Sequence, residues 1–264
     1  MTGRAVRARA AAPRRPARRG KAAIVLAQSI AGEIQRRGLQ TGDKLLSEQK
    51  MVERYGVARG SLREALRYLE LQGVLRIKSG PGGGPVVQTP DGRHFASTLA
   101  LMLQFVGARF RAIVETRWVV EPGIAALAAE RATAEDIAAL RACLAAMREA
   151  LADSRRFAEE NRRFHDLLAF ASGNPLFRFL VPALHWISDG AGVEYSAEER
   201  RRVLRGMADI LAAIEARSAP VAYDLTRAFF GASLAHLDRA HAAVMERPLR
   251  WADLSDGIAR VDQS

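Results

Sequence analysis

Apolar residues recur every three or four positions through most of the chain, and the places where this rhythm fails mark out its elements. Ile24, Ala27, Ala31 and Ile34 form the first helical stripe, and Gly38 closes it. After a loop holding Thr41, Gly42 and Asp43, Ser47 stands as an N-cap before Glu48, whose charge suits a helix start. Met51, Val52 and Tyr55 give the second helix its buried side, and Gly56 stops it. A third helix opens near Arg59, turns Leu62, Ala65, Leu66 and Leu69 inward, and ends at Gly73. Two short helices joined by a tight glycine turn predict a helix-turn-helix. Residues 74–77 and 85–88, rich in Val and Ile, flank the turn SGPGGGP and predict a hairpin.

From Phe95 onward the rhythm is helical only. It predicts helices over 95–106, 108–130, 133–152, 155–171, 175–189, 197–217 and 219–246. Thr133 with Asp136 and Ser196 with Glu199 have capping-box spacing, and Ser218 precedes Pro220 in a first turn. Pro122 is expected to bend or interrupt the second of these helices. The fold class is therefore mainly α: an N-terminal winged helix-turn-helix with a small β-hairpin wing, then an all-α bundle.

Charge changes the picture, because it is unevenly placed. The 264 residues are 49% hydrophobic and 26% charged, as two globular domains require, with a formal net charge of +11. Residues 1–21 carry seven Arg, one Lys and no acid, residues 22–90 a net +4, and residues 91–264 a net −1. Only the N-terminal third suits phosphate. The expected organisation is a basic disordered tail over 1–21, a DNA-binding winged helix over 22–90, a helical domain over 91–246, and a C-terminal tail over 247–264 docked by Trp251. Cys143 has no cysteine partner in the chain, and no secretory core segment precedes the first helix, so a cytoplasmic protein is expected. The longest uncharged run, His94 to Ala108, spans 15 residues, short of the roughly 20 that cross a bilayer. No membrane association is expected.

Enzyme chemistry finds no foothold. The glycine-rich turn lacks the Lys-Ser/Thr of a phosphate loop, residues 95–264 contain no lysine for a Schiff base, and no GxSxG elbow occurs. A nonspecific architectural or RNA-binding protein would have little use for a near-neutral helical domain. On the third helix Arg59, Gly60, Arg63 and Arg67 share the face opposite the leucines, with Ser61 beside it. Arg presents a bidentate fork to guanine, and glycine lets a helix approach base edges. The competing expectation is that Arg63 pairs with an acid at helical spacing and that Arg67 is a solvated charge.

The segment GDKLLSEQKMVERYGVARGSLREALRYLELQGVLRIKSGPGGGPVV closely resembles the DNA-binding domain of GntR-family regulators. ETRWVVEPGIAALAAERATAEDIAAL, NRRFHDLLAFASGNP and DILAAIEARSAPVAY resemble the FCD effector domain of the FadR subfamily. The resemblance implies a homodimer on a short palindromic operator of double-stranded DNA, released or recruited by a small molecule, with repressors the commoner case. It places Gln49, Arg59, Gly60, Ser61 and Arg63 at base- and phosphate-contacting positions, and Ser79 and Gly80 at the wing tip. Ala58 and Leu46 depart from it, standing where the family has Ser or Thr and Pro.

For the effector, the resemblance points Arg117 into a cavity, against the alternative of a helical pair with Glu121. FCD domains that hold a metal use an Asp, the His of an FH pair and two later His; here those positions fall on Asn161, His165, Met207 and Phe229. Met and Phe suit no zinc-like ion, so neither metal nor other cofactor is expected, and His236 is the residue an insertion would bring into register. His165 stands equally as a core histidine. A cavity lined by Arg117, Asn161, His165, Met207 and Phe229 would suit a carboxylate or acyl-type effector with a sizeable apolar part.

Overall fold

The computed structural model describes residues 16–80, 83–189, 192 and 194–254. The expected basic tail up to residue 15 and the chain from residue 255 lie outside the described residues. The chain divides into two compact units between Pro90 and Asp91.

The first unit holds α1 (Pro16–Arg36), α2 (Glu48–Tyr55), α3 (Arg59–Leu71), β1 (Leu75–Lys78) and β2 (Gly84–Val87). Helix α1 begins inside the stretch expected as tail, since Ala, Arg and Lys favour helix and Pro is tolerated in a first turn. Its buried stripe is Ala23, Leu26, Ala27, Ile30 and Ile34, while Ile24 is 44% exposed. Two overlapping helical registers exist in this segment, and packing selects the one richer in large aliphatic groups. That stripe meets Met51, Leu62, Ala65, Leu66, Leu69, Leu75 and Val87 in one core. Ser47 accepts from the Lys50 amide at the start of α2, and Gly56 ends the helix at φ 61°, a left-handed conformation that favours glycine. Ala58, at the start of α3, makes no side-chain cap. The strands pair antiparallel, Leu75 opposite Val87 and Lys78 opposite Gly84. Three helices and a two-strand wing make a winged helix-turn-helix.

The second unit is helical: α4 (Gly92–Phe105), α5 (Phe110–Arg131), α6 (Ala134–Glu149), a 3-10 turn (Ala150–Ala152), α7 (Ser154–Ala171), α8 (Phe177–Asp189), α9 (Ala197–Glu215), α10 (Ala219–Ala240) and α11 (Ala242–Met245). Both expected capping boxes form, at Thr133/Asp136 and Ser196/Glu199. Ser218 makes no cap bond despite its place before Pro220.

Helix α5 runs unbroken through Pro122. Glu121, Pro122, Ile124 and Ala125 are all buried, so packing on both sides of the proline offsets the one hydrogen bond it removes. The expected helix over 219–246 is instead divided at His241, whose φ of −134° is not helical. The segment expected as a loose tail packs as far as Leu254. There the Leu249 amide donates to the Ala108 carbonyl at 3.0 Å, Leu249 and Leu254 are buried, and Trp251 Nε1 donates to Ser97 Oγ at 2.8 Å. The larger core gathers Ile124, Leu140, Met147, Phe157, Phe164, Leu168, Met207 and Ile210; a second gathers Ala96, Phe110, Ile113, Leu184 and Met245. Among the described residues, no helix is long and apolar enough to cross a membrane.

Candidate functional site

Helix α3 separates its two faces cleanly. Leu62, Ala65, Leu66 and Leu69 are buried, Arg59, Gly60, Arg63 and Arg67 are exposed, and Ser61 lies between. Arg63 Nε donates to Glu48 Oε2 on α2 at 3.0 Å, with the two side chains 73% and 38% exposed. The acid that Arg63 meets therefore comes from the neighbouring helix, not from helical spacing. Arg59 and Arg67 have no ion pair among the described residues. A Cβ added at Gly60 would meet nothing within 4 Å, so nothing inside the chain requires glycine there. Gln49 is exposed on α2, and Ser79 and Gly80 are exposed at the wing, with Gly80 at φ 93°. Pro81 and Gly82 of the wing turn lie outside the described residues.

In the helical unit a cavity of about 600 Å³ opens among α5, α7, α8, α9 and α10. Arg117, Asn161, His165 and Phe229 line it as expected; Met207 does not. Met207 is fully buried in the main core, one residue beyond the cavity-lining Gly206. The step of about 100° per helical residue turns it to the other side of α9. A Cβ at Gly206 would stand 2.5 Å from Phe229 Cδ2, so glycine here lets the Phe229 ring approach α9 closely.

Polar groups line the cavity from all five helices, and one connected set of them starts on α5 and α7. Arg117 lines the cavity, and its Nε donates to Glu121 Oε1 at 3.1 Å. Its guanidinium carbon also lies 5.0 Å from the centroid of Phe230, within cation–π range. Glu121 is 1% exposed and lies 3.1 Å through Oε2 from His165 Nδ1. Burial alone would raise the Glu121 carboxyl, but His165 and Arg117 beside it outweigh that and hold it at about 2.

His185, which no sequence pattern singled out, completes this set. It is buried, its Nδ1 lies 3.2 Å from Asp166 Oδ1, and its ring centroid is 5.2 Å from that of His165. Burial, then the nearby Arg117 and His165, hold its pKa well below the usual imidazole range. Desolvation pushes the Asp166 carboxyl the other way, up to about 6, although 41% of its side chain stays exposed. Asn161 Oδ1 and His185 Nε2 are buried without a hydrogen-bond partner. At the α9 side, Glu199, His236 and His241 form a separate, half-buried group. Cys143 is buried, and burial pushes its thiol up to about 12, which leaves it unreactive.

The four positions at which FCD domains hold a metal do not fit one here. Of Asn161, His165, Met207 and Phe229, only His165 offers a strong donor, and Met207 is enclosed in the core. His236 belongs to the group with Glu199 and His241, and His165 to a group with Glu121 and His185.

Comparison with known proteins adds the wider setting. Residues 25–83 match the family described as bacterial regulatory proteins, gntR family, and residues 112–232 match the FCD domain. The HTH-type transcriptional regulator LutR of Bacillus subtilis is 31% identical over 143 residues, which are 54% of this chain and 64% of LutR. The HTH-type transcriptional repressor NanR of Cronobacter sakazakii is 31% identical over 178 residues, 66% of this chain and 68% of NanR. The match thus spans less than two thirds of LutR and slightly more than two thirds of NanR. Among solved structures, Streptococcus agalactiae GntR is similar with a TM-score of 0.64 at 22% identity, over 81% of this chain and 99% of that one. At that identity the likeness is one of fold.

Proposed function

Because this chain belongs to the GntR family of bacterial regulatory proteins and carries an FCD domain, we propose that it is a sequence-specific, effector-controlled transcription regulator. Two copies bind a short palindromic operator in the cytoplasm, each inserting α3 into the major groove, because two-fold protein symmetry is mirrored in such sites. Arg59 and Arg63 read guanines, while Gln49, Ser61, Arg67 and the wing residues Ser79 and Gly80 hold the backbone. The observation that carries this reading is the exposed guanidinium face of α3 in a chain that also contains a ligand-sized cavity. Repression is the reading of its sign, supported by the NanR relatives being named repressors.

The effector is an organic acid or acyl-type molecule with an apolar portion. Arg117 Nε is committed to Glu121, which leaves the two terminal nitrogens for a carboxylate. Phe110, Val114, Val203, Leu225, Phe229 and Phe230 line one part of the cavity, beside charged groups such as Arg162, Asp189, Glu199 and Arg202, and this apolar part rewards a hydrocarbon chain or ring. The ligand acts by binding one arrangement of the dimer better than the other, since only differential affinity shifts such an equilibrium.

Mass spectrometry of small molecules retained by the purified protein, followed by a thermal-shift panel of carboxylic acids, tests this reading. Acids with an apolar portion are expected to raise the melting temperature. Stabilisation by small polar hydroxy-acids alone would contradict it.

A further inference from the structure

We propose that the effector carries a second anionic group, at the opposite end of its apolar portion from the one that meets Arg117, and that Arg202 and Arg205 on α9 bind it. This rests on the reading of an organic-acid effector and narrows its class. Arg202 and Arg205 both line the cavity and both are exposed. Neither has an ion pair or a side-chain hydrogen bond among the described residues. Three residues apart on one helix, they are neighbours on its surface and can take one anion between them.

Most other charges of the cavity are already matched. Arg117 is held by Glu121, and Arg162 pairs with Asp189. Glu199 closes the capping box at the start of α9 and pairs with His236. Asp209, one turn beyond Arg205, is exposed and makes no ion pair among the described residues, so it offsets one of the two guanidinium groups and leaves the other in excess. Arg202 also forgoes a partner that its own helix offers. Glu198 stands four residues before it, the favourable order for a helical pair, and among the described residues that pair does not form. A guanidinium that lines a cavity instead of meeting an available carboxylate suits an anion arriving from solution.

Contacts inside the cavity put apolar surface between the two cationic ends. The Arg117 guanidinium carbon lies 5.0 Å from the Phe230 centroid, and the Phe230 ring meets that of Phe229 edge to face at 5.4 Å. Phe229 in turn crowds Gly206, the neighbour of Arg205, so closely that a Cβ there would stand 2.5 Å from its ring. The order along this wall is guanidinium, ring, ring, and then the turn of α9 that carries Arg202 and Arg205. Arg117, with its side chain 16% exposed, is the enclosed end; the exposed pair on α9 is the open end. An acid with one charged head leaves the open end unmatched, whereas a molecule with an anion at each end of an apolar spacer satisfies both. Carboxylate and phosphate offer a guanidinium the same oxygen acceptors, so the class is an organic dianion.

The test is calorimetric titration of the full chain with α,ω-dicarboxylates of increasing length, each beside the monocarboxylate of the same length, and with acids of those lengths that end in a phosphate. A dianion of fitting length should bind at least about tenfold tighter than its monocarboxylate, as one added charge-assisted contact allows, and the tighter of the two dianions identifies the outer group. In the double variant Arg202→Gln, Arg205→Gln that advantage should disappear while monocarboxylate affinity stays unchanged, and Arg117→Met should weaken every acid. Circular dichroism checks that each variant folds. Equal affinity for monocarboxylates and both kinds of dianion at every length overturns the proposal, as does an advantage that survives in the folded double variant. In either case monocarboxylate binding that is lost in Arg117→Met leaves the organic-acid reading standing. Binding of no acid of any kind removes that reading and the proposal with it.

Discussion

Arg63 and Arg117 each sit against a glutamate, yet the two pairs mean different things. The Arg63 pair is exposed, and such pairs contribute about 0–1 kcal/mol, whereas a good bidentate base contact is worth about 1–3 kcal/mol. The Glu48 contact therefore yields when a guanine edge is offered, and Arg63→Ala should lower operator affinity at least about tenfold. Fluorescence anisotropy on a labelled operator measures this, and equal affinity in a folded variant would remove Arg63 from the interface. The Arg117 pair is enclosed, with its side chains 16% and 1% exposed. Glu121 is held at about 2 in the folded chain, below its ordinary value. Its contribution is thus fully present above pH 4.5 or so and is lost as the pH falls from there toward 2. Melting curves across that acid range should show a slope that Glu121→Gln flattens; the same slope in the variant would assign it to other groups. The Arg117–Glu121 pair was legible in the sequence because four residues bring two side chains onto one helix face. Asp166 and His185 were not, because 19 residues and a change of helix separate them and no local pattern reports such a meeting.

At the scale of elements, what the sequence made plain were the features decided locally. Thr133, Ser196 and Ser47 cap helices as their spacing implies, because a cap depends on a few adjacent atoms. Features decided by packing were harder to read. The face that α1 buries, the continuity of α5 through Pro122 and the break at His241 all depend on neighbours that periodicity does not name. Met207 illustrates the limit: a position carried over from a family pattern fell in the core, one helical step from the cavity wall. Gly56 offers an element-scale test. It joins α2 to α3 at φ 61° with open space around it, so an added Cβ clashes with nothing and costs only the left-handed backbone. Gly56→Ala should destabilise the chain by about 1–2 kcal/mol, read by urea unfolding. A loss of only a few tenths would mean that the turn can relax without cost.

Over the whole molecule, charge and cavity are divided between the two units. The basic excess lies in residues 1–90, and residues 91–264 are near neutral, while the cavity and its ionic wall belong wholly to the second unit. This division was visible in the sequence, because phosphate binding leaves its mark on composition. The chemistry of the cavity was only half visible, since it is assembled from five helices. If the two units serve one regulator, filling the cavity must alter what α3 does on DNA. The direct measurement is the anisotropy of a duplex selected from a random library by the full chain, titrated with and without a saturating carboxylic acid that the protein retains. Operator affinity should change by at least about fivefold, the lower end of typical coupling between sites, and the change should vanish in Arg117→Met. An identical Kd with the cavity empty and filled would contradict the proposed control of DNA binding by this cavity.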